Sequence, residues 1–400
     1  MTLRTAVGEL ILAMDRAFPT SLTEEVTACL QRHTEASEAE ILLTDYDVLA
    51  LRRLDDGVGD PPPAVPLDAT HAGRAFLAQA PVLETTGTGT LVHVPISLRA
   101  ERIGVLCVHL PAAPETDVLL GLEQIATALA YVLRTAWLYT DLVERVRRVR
   151  PLELPAEMQW SQQPVRAFES SPYYVAGQIL PAYEVGGDLF DYAVGHDRLS
   201  VFVIDAMGHG LGASMLSTLA IAALRNARRT GLDLVDQVRL ADNVLWRQYG
   251  GDQFVTLFAL ELRHDGVGRF VSAGHPSAVL VRDGRPGPLD LAPQLPLGMF
   301  ERSEYAEQRV ELEPGDRLVL ATDGVTEARS VSGDVFGDAR LEGALMATLT
   351  AVPGEVTRQV MRILQDFQSD EPRDDATLVC LDWRGTEGAD AELVRRHRRK

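Results

Sequence analysis

The sequence predicts an α+β protein with two folded regions joined by a long helix. Helical and strand patterns alternate in two separate stretches, 1–115 and 171–384. Between them, 116–150 carries apolar residues at alternating spacings of three and four, which is typical of a coiled-coil helix. A linker punctuated by prolines, 151–170, follows this helix, and a basic tail, 385–400, ends the chain.

Composition excludes several classes of function. The chain has 400 residues, 46% of them hydrophobic and 24% charged, the balance of a globular protein. Its formal net charge of −19 argues against nucleic acid and against an anionic membrane surface as partners. Lys400 is the only lysine. A Walker loop, a protein kinase site and a Schiff-base enzyme, which all need a lysine, are therefore excluded.

The cysteines and the N-terminus favour a cytoplasmic protein. Cys29, Cys107 and Cys380 lie far apart, unlike a disulfide framework or a cysteine-based zinc site. Glu9 and Asp15 interrupt the first apolar stretch, so it is not a signal peptide. No apolar run approaches the ~18 residues of a membrane span. We therefore expect no membrane partner.

Region 1–115 reads as a small α+β domain in which helices alternate with paired strands. The predicted helices cover 24–33 and 70–79, and the predicted strands cover 39–44, 48–54, 91–96 and 103–110.

The helical region 116–150 has two interpretations. Its apolar stripe repeats every 3.5 residues and comprises Leu122, Ile125, Leu129, Val132, Ala136, Tyr139, Val143 and Val146. The favoured interpretation is a parallel coiled coil that forms a homodimer and passes a signal onward. The alternative is an amphipathic helix packed on its own domain, for which a period of 3.6 is usual.

Region 171–384 alternates strands and helices, and several acidic motifs stand where a strand meets a turn. The expected elements are strands 199–204, 316–321 and 377–382, helices 211–229, 234–248 and 356–367, and a hairpin of 254–262 with 268–281.

The acidic motifs are centred on Asp188, Asp205, Asp323 and the pair Asp374-Asp375. A single Asp-Gly is most simply a turn, but four motifs, three of them tied to buried strands, favour one shared site. Converging carboxylates repel each other unless a cation lies between them. Carboxylate and carbonyl oxygens suit Mg²⁺ or Mn²⁺ rather than zinc, and two such ions can activate a bridging water and clamp a phosphoryl group.

The motifs of this region resemble a known family. They are Glu184–Asp191, Asp205–Gly210, Phe254–Thr256, Ser272–Pro276, Leu295–Gly298, Thr322–Glu327 and Asp374–Thr377. In this order they resemble the PPM-type (PP2C-like) serine/threonine phosphatases that depend on Mn²⁺ or Mg²⁺. Within these they are similar to the SpoIIE type, bacterial regulators of sigma-factor partner switching. The resemblance implies two antiparallel sheets flanked by helices in an α-β-β-α sandwich, with two metal ions at one edge.

The resemblance also implies roles for individual residues. Asp205 would bridge both ions, and the Ala206 carbonyl would complete one metal site. Asp323 and Asp374 would hold the other ion, while Asp188 would orient a metal-bound water. The activity implied is hydrolysis of phosphoserine or phosphothreonine by attack of the metal-bridging water. The substrate implied is a phosphorylated protein of the anti-sigma-factor-antagonist type.

The roles of three site residues, Asp374, Asp375 and His209, have more than one interpretation. Asp374 is favoured over its neighbour Asp375 as the ligand. His209 is a candidate general acid for the leaving serine oxygen, but a turn histidine bonded to backbone is the favoured interpretation, because no partner for the ring can be seen in the sequence.

The N-terminal region resembles GAF sensor domains. The resemblance rests on Thr70–Glu84, Val94-Pro95-Ile96 and Ile103–Leu106. It implies a small-molecule ligand and a sensor that gates the phosphatase, although no Cys or His pair stands out as a cofactor ligand. The linker 151–170 lacks both leucines of the family's Gln-x-x-Leu-Leu-Pro element. This removes the sequence basis for the usual contact between linker and catalytic domain.

Two alternative functions stay open. A pseudophosphatase would bind the phosphoprotein without hydrolysing it, but the intact acidic set argues against this. Gly186–Phe190 also resembles the Gly-Gly-Asp-Glu-Phe signature of diguanylate cyclases, which lies on a hairpin, but Leu189 replaces its acidic residue.

Overall fold

The computed structural model describes residues 3–55, 62–180, 186–275, 277–292, 294–368 and 374–385. Three of the features discussed above fall partly or wholly outside these residues: Glu184-Val185, Pro276 and most of the basic tail 385–400. The chain divides into two compact units, Met1–Pro151 and Leu152–Lys400, and each is described by itself.

The first unit is an antiparallel sheet between two layers of helices. The strands lie in the order β3-β2-β1-β6-β5-β4. The helices are α1 Leu3–Arg16, α2 Leu22–His33, α3 His71–Ala78, α4 Thr116–Ala136 and α5 Leu142–Arg147; the strands are β1 Glu38–Thr44, β2 Ala50–Arg53, β3 Val65–Pro66, β4 Val82–Thr86, β5 Gly89–Leu98 and β6 Glu101–Leu110.

Both faces of this sheet are buried under helices. Since side chains alternate along each strand, neighbouring residues face different cores. On β6, Leu106 faces a core shared with α1, α2 and α4. Its neighbour Val105 faces a second core beneath α3. Thr70 caps the N-terminus of helix α3: its hydroxyl accepts a hydrogen bond from the backbone amide of Gly73 over 3.0 Å. The α+β prediction for this region is confirmed, although helix α1 and strand β4 were not predicted.

The prediction of one uninterrupted helix over 116–150 is wrong. Helix α4 ends at Ala136. At the start of α5, the hydroxyl of Thr140 accepts a hydrogen bond from the backbone amide of Leu142 over 3.2 Å. Leu122 and Leu129 of the apolar stripe are fully buried inside their own unit. The stripe thus packs as the alternative interpretation predicted, and the homodimer stays a prediction. Within the described residues, α4 alone is long and apolar enough to span a membrane, by length and composition only.

The second unit is a sandwich of two antiparallel sheets, ordered β15-β12-β11-β10-β9 and β14-β13-β16-β17-β8-β7. The helices are α6 Leu154–Gln162, α7 Leu211–Arg229, α8 Leu234–Tyr249, α9 Asp323–Thr326, α10 Gly337–Ala347 and α11 Pro353–Gln368. The strands are β7 Ala167–Glu169, β8 Tyr173–Leu180, β9 Leu189–Val194, β10 Arg198–Ala206, β11 Val255–Arg263, β12 Val267–Ala273, β13 Ser277–Arg282, β14 Arg285–Pro288, β15 Gln308–Glu311, β16 Arg317–Ala321 and β17 Ala376–Trp383.

Three apolar layers hold this sandwich together. One core lies between the two sheets, where Phe258 and Phe270 stack with ring centroids 5.3 Å apart. A second core joins α7 and α8 to the first sheet. A third joins α10 and α11 to the second sheet. The α-β-β-α arrangement implied by the family resemblance is therefore present.

One local prediction is wrong, and the strand arrangement also argues against one alternative function. The strand expected over 268–281 is two strands, because the chain leaves the first sheet after β12 and enters the second at β13. Gly274 has φ +71° between them, where a residue with a side chain would be strained. The hairpin that a diguanylate cyclase motif requires at Gly186–Phe190 is also missing, since β8 and β9 belong to different sheets.

Candidate active site

Strand register brings the predicted carboxylates to one edge of the sandwich. In the first sheet, Ile204 pairs with Leu189, so Asp205 and Asp188 are the next residues on adjacent strands. In the second sheet, Ala321 pairs with Leu378, which places Asp323 beside the start of β17. The two sheets are joined here by Thr322, whose hydroxyl donates to the Asp188 carboxylate over 2.6 Å. The sequence predicted the aspartates but gave no role to Thr322.

The carboxylates lie close enough to raise one another's pKa. Burial, and then repulsion from Asp323 and Asp374, raises the pKa of Asp205 to about 7. Burial, and then repulsion from Asp205 and Asp375, raises the pKa of Asp188 well above its usual range. The pKa of Asp374 is raised by burial and by Asp323. The site therefore holds negative charge that a bound cation would stabilise.

The two neighbouring aspartates occupy different environments. One oxygen of Asp375 accepts hydrogen bonds from the backbone amides of Gly187, over 2.7 Å, and of Asp188, over 3.2 Å. Asp375 is buried, and its other oxygen makes no hydrogen bond. Asp374 instead lines an open cavity together with Asp323. This geometry favours Asp374 as the cation ligand and Asp375 as a support for the Gly187-Asp188 backbone.

Close backbone contacts fix the site. A Cβ atom on Gly324 would lie 1.7 Å from the carbonyl oxygen of Asp375, so only glycine fits there. A Cβ atom on Gly187 would lie 3.3 Å from the carbonyl oxygen of Ala206. The Ala206 carbonyl, the predicted backbone ligand, thus lies directly beside the turn that leads to Asp188.

The two histidines of the predicted motifs, His209 and His275, differ in exposure. His209 is exposed on a turn between Gly208 and Gly210, and its charge opposes the effect of burial on the pKa of Asp374. This proximity is compatible with the general-acid interpretation. His275 is buried against Phe258, with ring centroids 6.0 Å apart, and burial lowers the pKa of its imidazole to about 3. This environment gives His275 a structural role in the core.

Helix α6, which lies in the predicted linker, contacts the site directly. The side-chain amide of Gln159 donates to the Asp375 carboxylate over 3.0 Å and to the Asp188 carbonyl over 2.7 Å. The hydroxyl of Ser214 is within hydrogen-bonding distance of both the Pro155 and the Gly186 carbonyls. The missing leucines therefore do not prevent contact between linker and catalytic region. A glutamine in the linker was the available signal.

A second bridge fixes the C-terminal end of α6. The guanidinium of Arg225 donates to the carbonyl and the side chain of Gln162, and also to Asp191 over 2.9 Å. Asp191 is buried and pairs with Arg228 as well, over 2.8 Å. Since Asp191 lies three residues after Asp188 on the same chain segment, both bridges connect α6 to the segment that carries the site.

The donors suit a hard divalent cation, although the arrangement is not preformed. Among the described ranges, no group of three or more His, Cys, Asp or Glu side chains is placed to hold a metal ion as it stands. The converging groups are carboxylates and a carbonyl, which Mg²⁺ and Mn²⁺ prefer. Burial and neighbouring carboxylates raise the pKa values of Asp188 and Asp205, so these acidic groups lack a full counter-charge. We conclude that the residues present fit such ions.

The first unit contains a polar cluster that the sequence did not reveal. The imidazole of His93 lies 3.2 Å from the Cys107 sulfur and 3.1 Å from the Glu84 carboxylate, whose same oxygen lies 3.4 Å from His71. Burial lowers the pKa of His93 and raises that of the Cys107 thiol. The thiol therefore stays protonated and unreactive. His93 pairs with Cys107 across β5 and β6, a register that the sequence alone did not reveal.

Comparisons with known proteins agree with the site. Residues 195–384 match the family model described as Stage II sporulation protein E (SpoIIE). The phosphoserine phosphatase RsbU of Bacillus subtilis (strain 168) is 22% identical over 232 residues, which cover 58% of this chain and 69% of RsbU. The phosphoserine phosphatase RsbP of the same organism is 29% identical over 154 residues, covering 36% of this chain and 37% of RsbP.

A solved structure of the RsbU and RsbW domains of Rv1364c from Mycobacterium tuberculosis matches 55% of this chain and 62% of that chain. Its TM-score is 0.49 at 23% identity. The GAF-like interpretation of 1–115 stays a prediction. For the C-terminal region the resemblance seen in the motifs is confirmed: residues 195–384 match the SpoIIE family model, and this chain is similar to RsbU and RsbP, which are phosphoserine phosphatases.

Proposed function

We propose that this protein is a cytoplasmic Mn²⁺- or Mg²⁺-dependent phosphatase acting on phosphoserine or phosphothreonine in a partner-switching regulator. The observation that carries the proposal is the convergence of Asp188, Asp205, Asp323 and Asp374 at one edge of a SpoIIE-type domain. Two relatives of this chain, RsbU and RsbP, bear the name phosphoserine phosphatase. The substrate we propose, a phosphorylated protein of the anti-sigma-factor-antagonist type, rests on the resemblance of the motifs to SpoIIE-type phosphatases.

In this proposal some residues of the site bind the cations and another orients the attacking water. Asp205 with the Ala206 carbonyl, and Asp323 with Asp374, would hold two divalent cations. When bound, such ions supply charge neutralisation for the phosphoryl group and lower the pKa of water. Asp188, fixed by the hydroxyl of Thr322, would orient the attacking water by accepting a hydrogen bond from it.

His209 completes the proposed reaction. Its exposed ring lies near Asp374, on the open side of the site, where a leaving serine oxygen would need a proton. Asp375 takes no part in the chemistry itself. It holds the amides of Gly187 and Asp188 in place, so that the Asp188 carboxylate keeps its direction.

The first unit is proposed to act as a sensor that gates the second. Chain continuity leads from α5 through six residues to α6, whose Gln159 contacts the site. A displacement of α6 would remove a hydrogen bond from Asp375 and from the Asp188 carbonyl together. Gating by a small-molecule ligand, and a homodimer formed through 116–150, complete the proposal.

The proposal is tested by hydrolysis with the purified full chain. We expect release of phosphate from p-nitrophenyl phosphate and from a phosphoserine protein in Mn²⁺, and no release in EDTA. Asp205→Ala should lose turnover at every Mn²⁺ concentration, whereas Asp197→Ala, an exposed aspartate outside the site, should keep it. Metal-independent hydrolysis, or full activity of Asp205→Ala, would disprove the function.

A further inference from the structure

A cavity beside the carboxylates is larger than the proposed chemistry requires. It has a volume of about 390 Å³ and opens next to Asp323 and Asp374. Cavities of ~300–1,000 Å³ hold ligands of drug size, so this one has room for more than a phosphoryl group. Apart from Gln368 at the end of α11, its other described lining residues belong to the segment that runs from Gly324 to Gly333.

The wall opposite the carboxylates is a hairpin with its own hydrogen bonds. The backbone amide of Gly333 donates to the Ser330 carbonyl over 2.9 Å, and the Ser330 amide donates to the Asp334 carbonyl over 2.9 Å. Arg329 and Val335 form a β-bridge at the base of this turn. Gly333 has φ +88°, a conformation that favours glycine. The hairpin is therefore preorganised.

The base of the hairpin is packed on two helices. The amide of Phe336 donates to the Ala328 carbonyl over 2.8 Å, and its buried ring meets Phe367 of α11 edge-on at 5.4 Å. The guanidinium of Arg340 on α10 lies over Phe367 and donates to the Val335 carbonyl over 2.6 Å. A wall held at both its turn and its base can present a side chain in a fixed place.

Arg329 is the side chain that this wall presents. It is exposed, and its guanidinium donates one long hydrogen bond, 3.3 Å, to the Gly333 carbonyl. Among the described lining residues it carries the only positive charge, while Asp323, Glu327 and Asp374 are acidic. A planar guanidinium binds carboxylates in a bidentate geometry, and the contact with Gly333 uses a single nitrogen of Arg329.

We propose that the cavity receives the polypeptide segment carrying the phosphorylated residue, and that Arg329 selects an acidic side chain next to that residue. This inference rests on the proposed function. With the phosphoryl group at Asp323 and Asp374, the flanking chain lies along the hairpin. The other charged side chains of the described lining, Asp323, Glu327 and Asp374, are acidic and would repel a carboxylate, so Arg329 determines whether an acidic flank is accepted.

The test compares two phosphoserine peptides of equal length, one with Glu and one with Lys flanking the phosphoserine. With the full chain and Mn²⁺, we expect kcat/KM to favour the Glu peptide by roughly fivefold, the effect of one partly exposed ion pair. Arg329→Glu should reverse the order, and Arg329→Lys should keep it with a smaller ratio. Arg302→Glu makes the same charge change on an 88% exposed side chain elsewhere and should behave as wild type.

The proposal fails if the wild type shows no preference, or if Arg329→Glu keeps the preference of the wild type. Anisotropy of labelled peptides measures the same preference without turnover. If hydrolysis is absent but the Glu peptide binds better in an Arg329-dependent manner, the proposed function fails and the docking site stands. If hydrolysis depends on Mn²⁺ but neither assay shows a flank preference, the docking site fails and the function stands.

Discussion

The side-chain amide of Gln159 lies 3.0 Å from the carboxylate of Asp375, a residue 216 positions later in the chain. Gln159 is buried, and the same amide nitrogen also donates to the Asp188 carbonyl. A single side chain of the linker helix thus contacts the segments on both sides of the proposed metal site. Gln159 therefore connects the linker helix directly to Asp375 and to the backbone of Asp188.

Replacing this glutamine tests the connection. We expect Gln159→Ala to lower Mn²⁺-dependent turnover or Mn²⁺ affinity by about 10–100-fold, the usual cost of losing a partner that orients a ligand segment. Ser161→Ala, which removes a local and exposed hydroxyl of the same helix, should have no effect. Initial rates over a Mn²⁺ titration provide the measurement. Equal rates in the two variants would show that the contact does not position the site.

The neighbouring aspartates should separate into a metal ligand and a structural support. Asp375→Ala removes the acceptor of three donors, and we expect the free energy of unfolding to fall by about 2–4 kcal/mol. Asp374→Ala should change it by less than about 0.5 kcal/mol, since burial and repulsion already disfavour that charge.

Urea unfolding without metal measures the first effect, and Mn²⁺ binding by calorimetry measures the second. Asp374→Ala should lose binding at one ion site. If Asp374→Ala destabilises the chain while Asp375→Ala weakens Mn²⁺ binding at unchanged stability, the two assignments are reversed.

The extent of prediction from sequence differed between elements and contacts. Helices α7, α8 and α11 were predicted to within a few residues, because an amphipathic period of 3.6 is a local property. The acidic motifs were predictable because each stands at a strand end. The bond from Thr322 to Asp188 was not predictable, since it depends on how two sheets pack across 134 positions of sequence. The same limit applies to the cluster around His93.

Burial of His275 should make stability depend on pH. The pKa of its imidazole is about 3 in the folded chain, against an ordinary value of 6.5, so between these values the unfolded chain binds the extra proton. Stability contributed by the neutral ring is present above pH 6.5 and is lost as the pH falls below it. From pH 7.5 to 5.5 the loss should be about 1.4 kcal/mol.

Urea unfolding at both pH values checks this, with His275→Asn and His196→Gln as a matched pair. His196 is exposed, so His196→Gln should keep the wild-type difference between the two pH values. His275→Asn should reduce that difference by about 1.4 kcal/mol, whatever its stability at pH 7.5. A difference that is the same in all three proteins would refute the assignment.

The apolar stripe of α4 gives the last prediction, because its residues serve the core of their own unit. Ile125 and Leu129 are fully buried there, so Ile125→Asp with Leu129→Asp should unfold the N-terminal unit. A coiled-coil seam would instead predict a folded monomer. Leu129→Ala alone should cost about 2–5 kcal/mol. Tyr131 is 56% exposed on the same helix, so Tyr131→Glu tests association without disturbing the core. Circular dichroism measures folding, and sedimentation measures the oligomeric state. If the double aspartate variant is folded and monomeric, the apolar stripe forms the interface between two chains and not the core of its own unit.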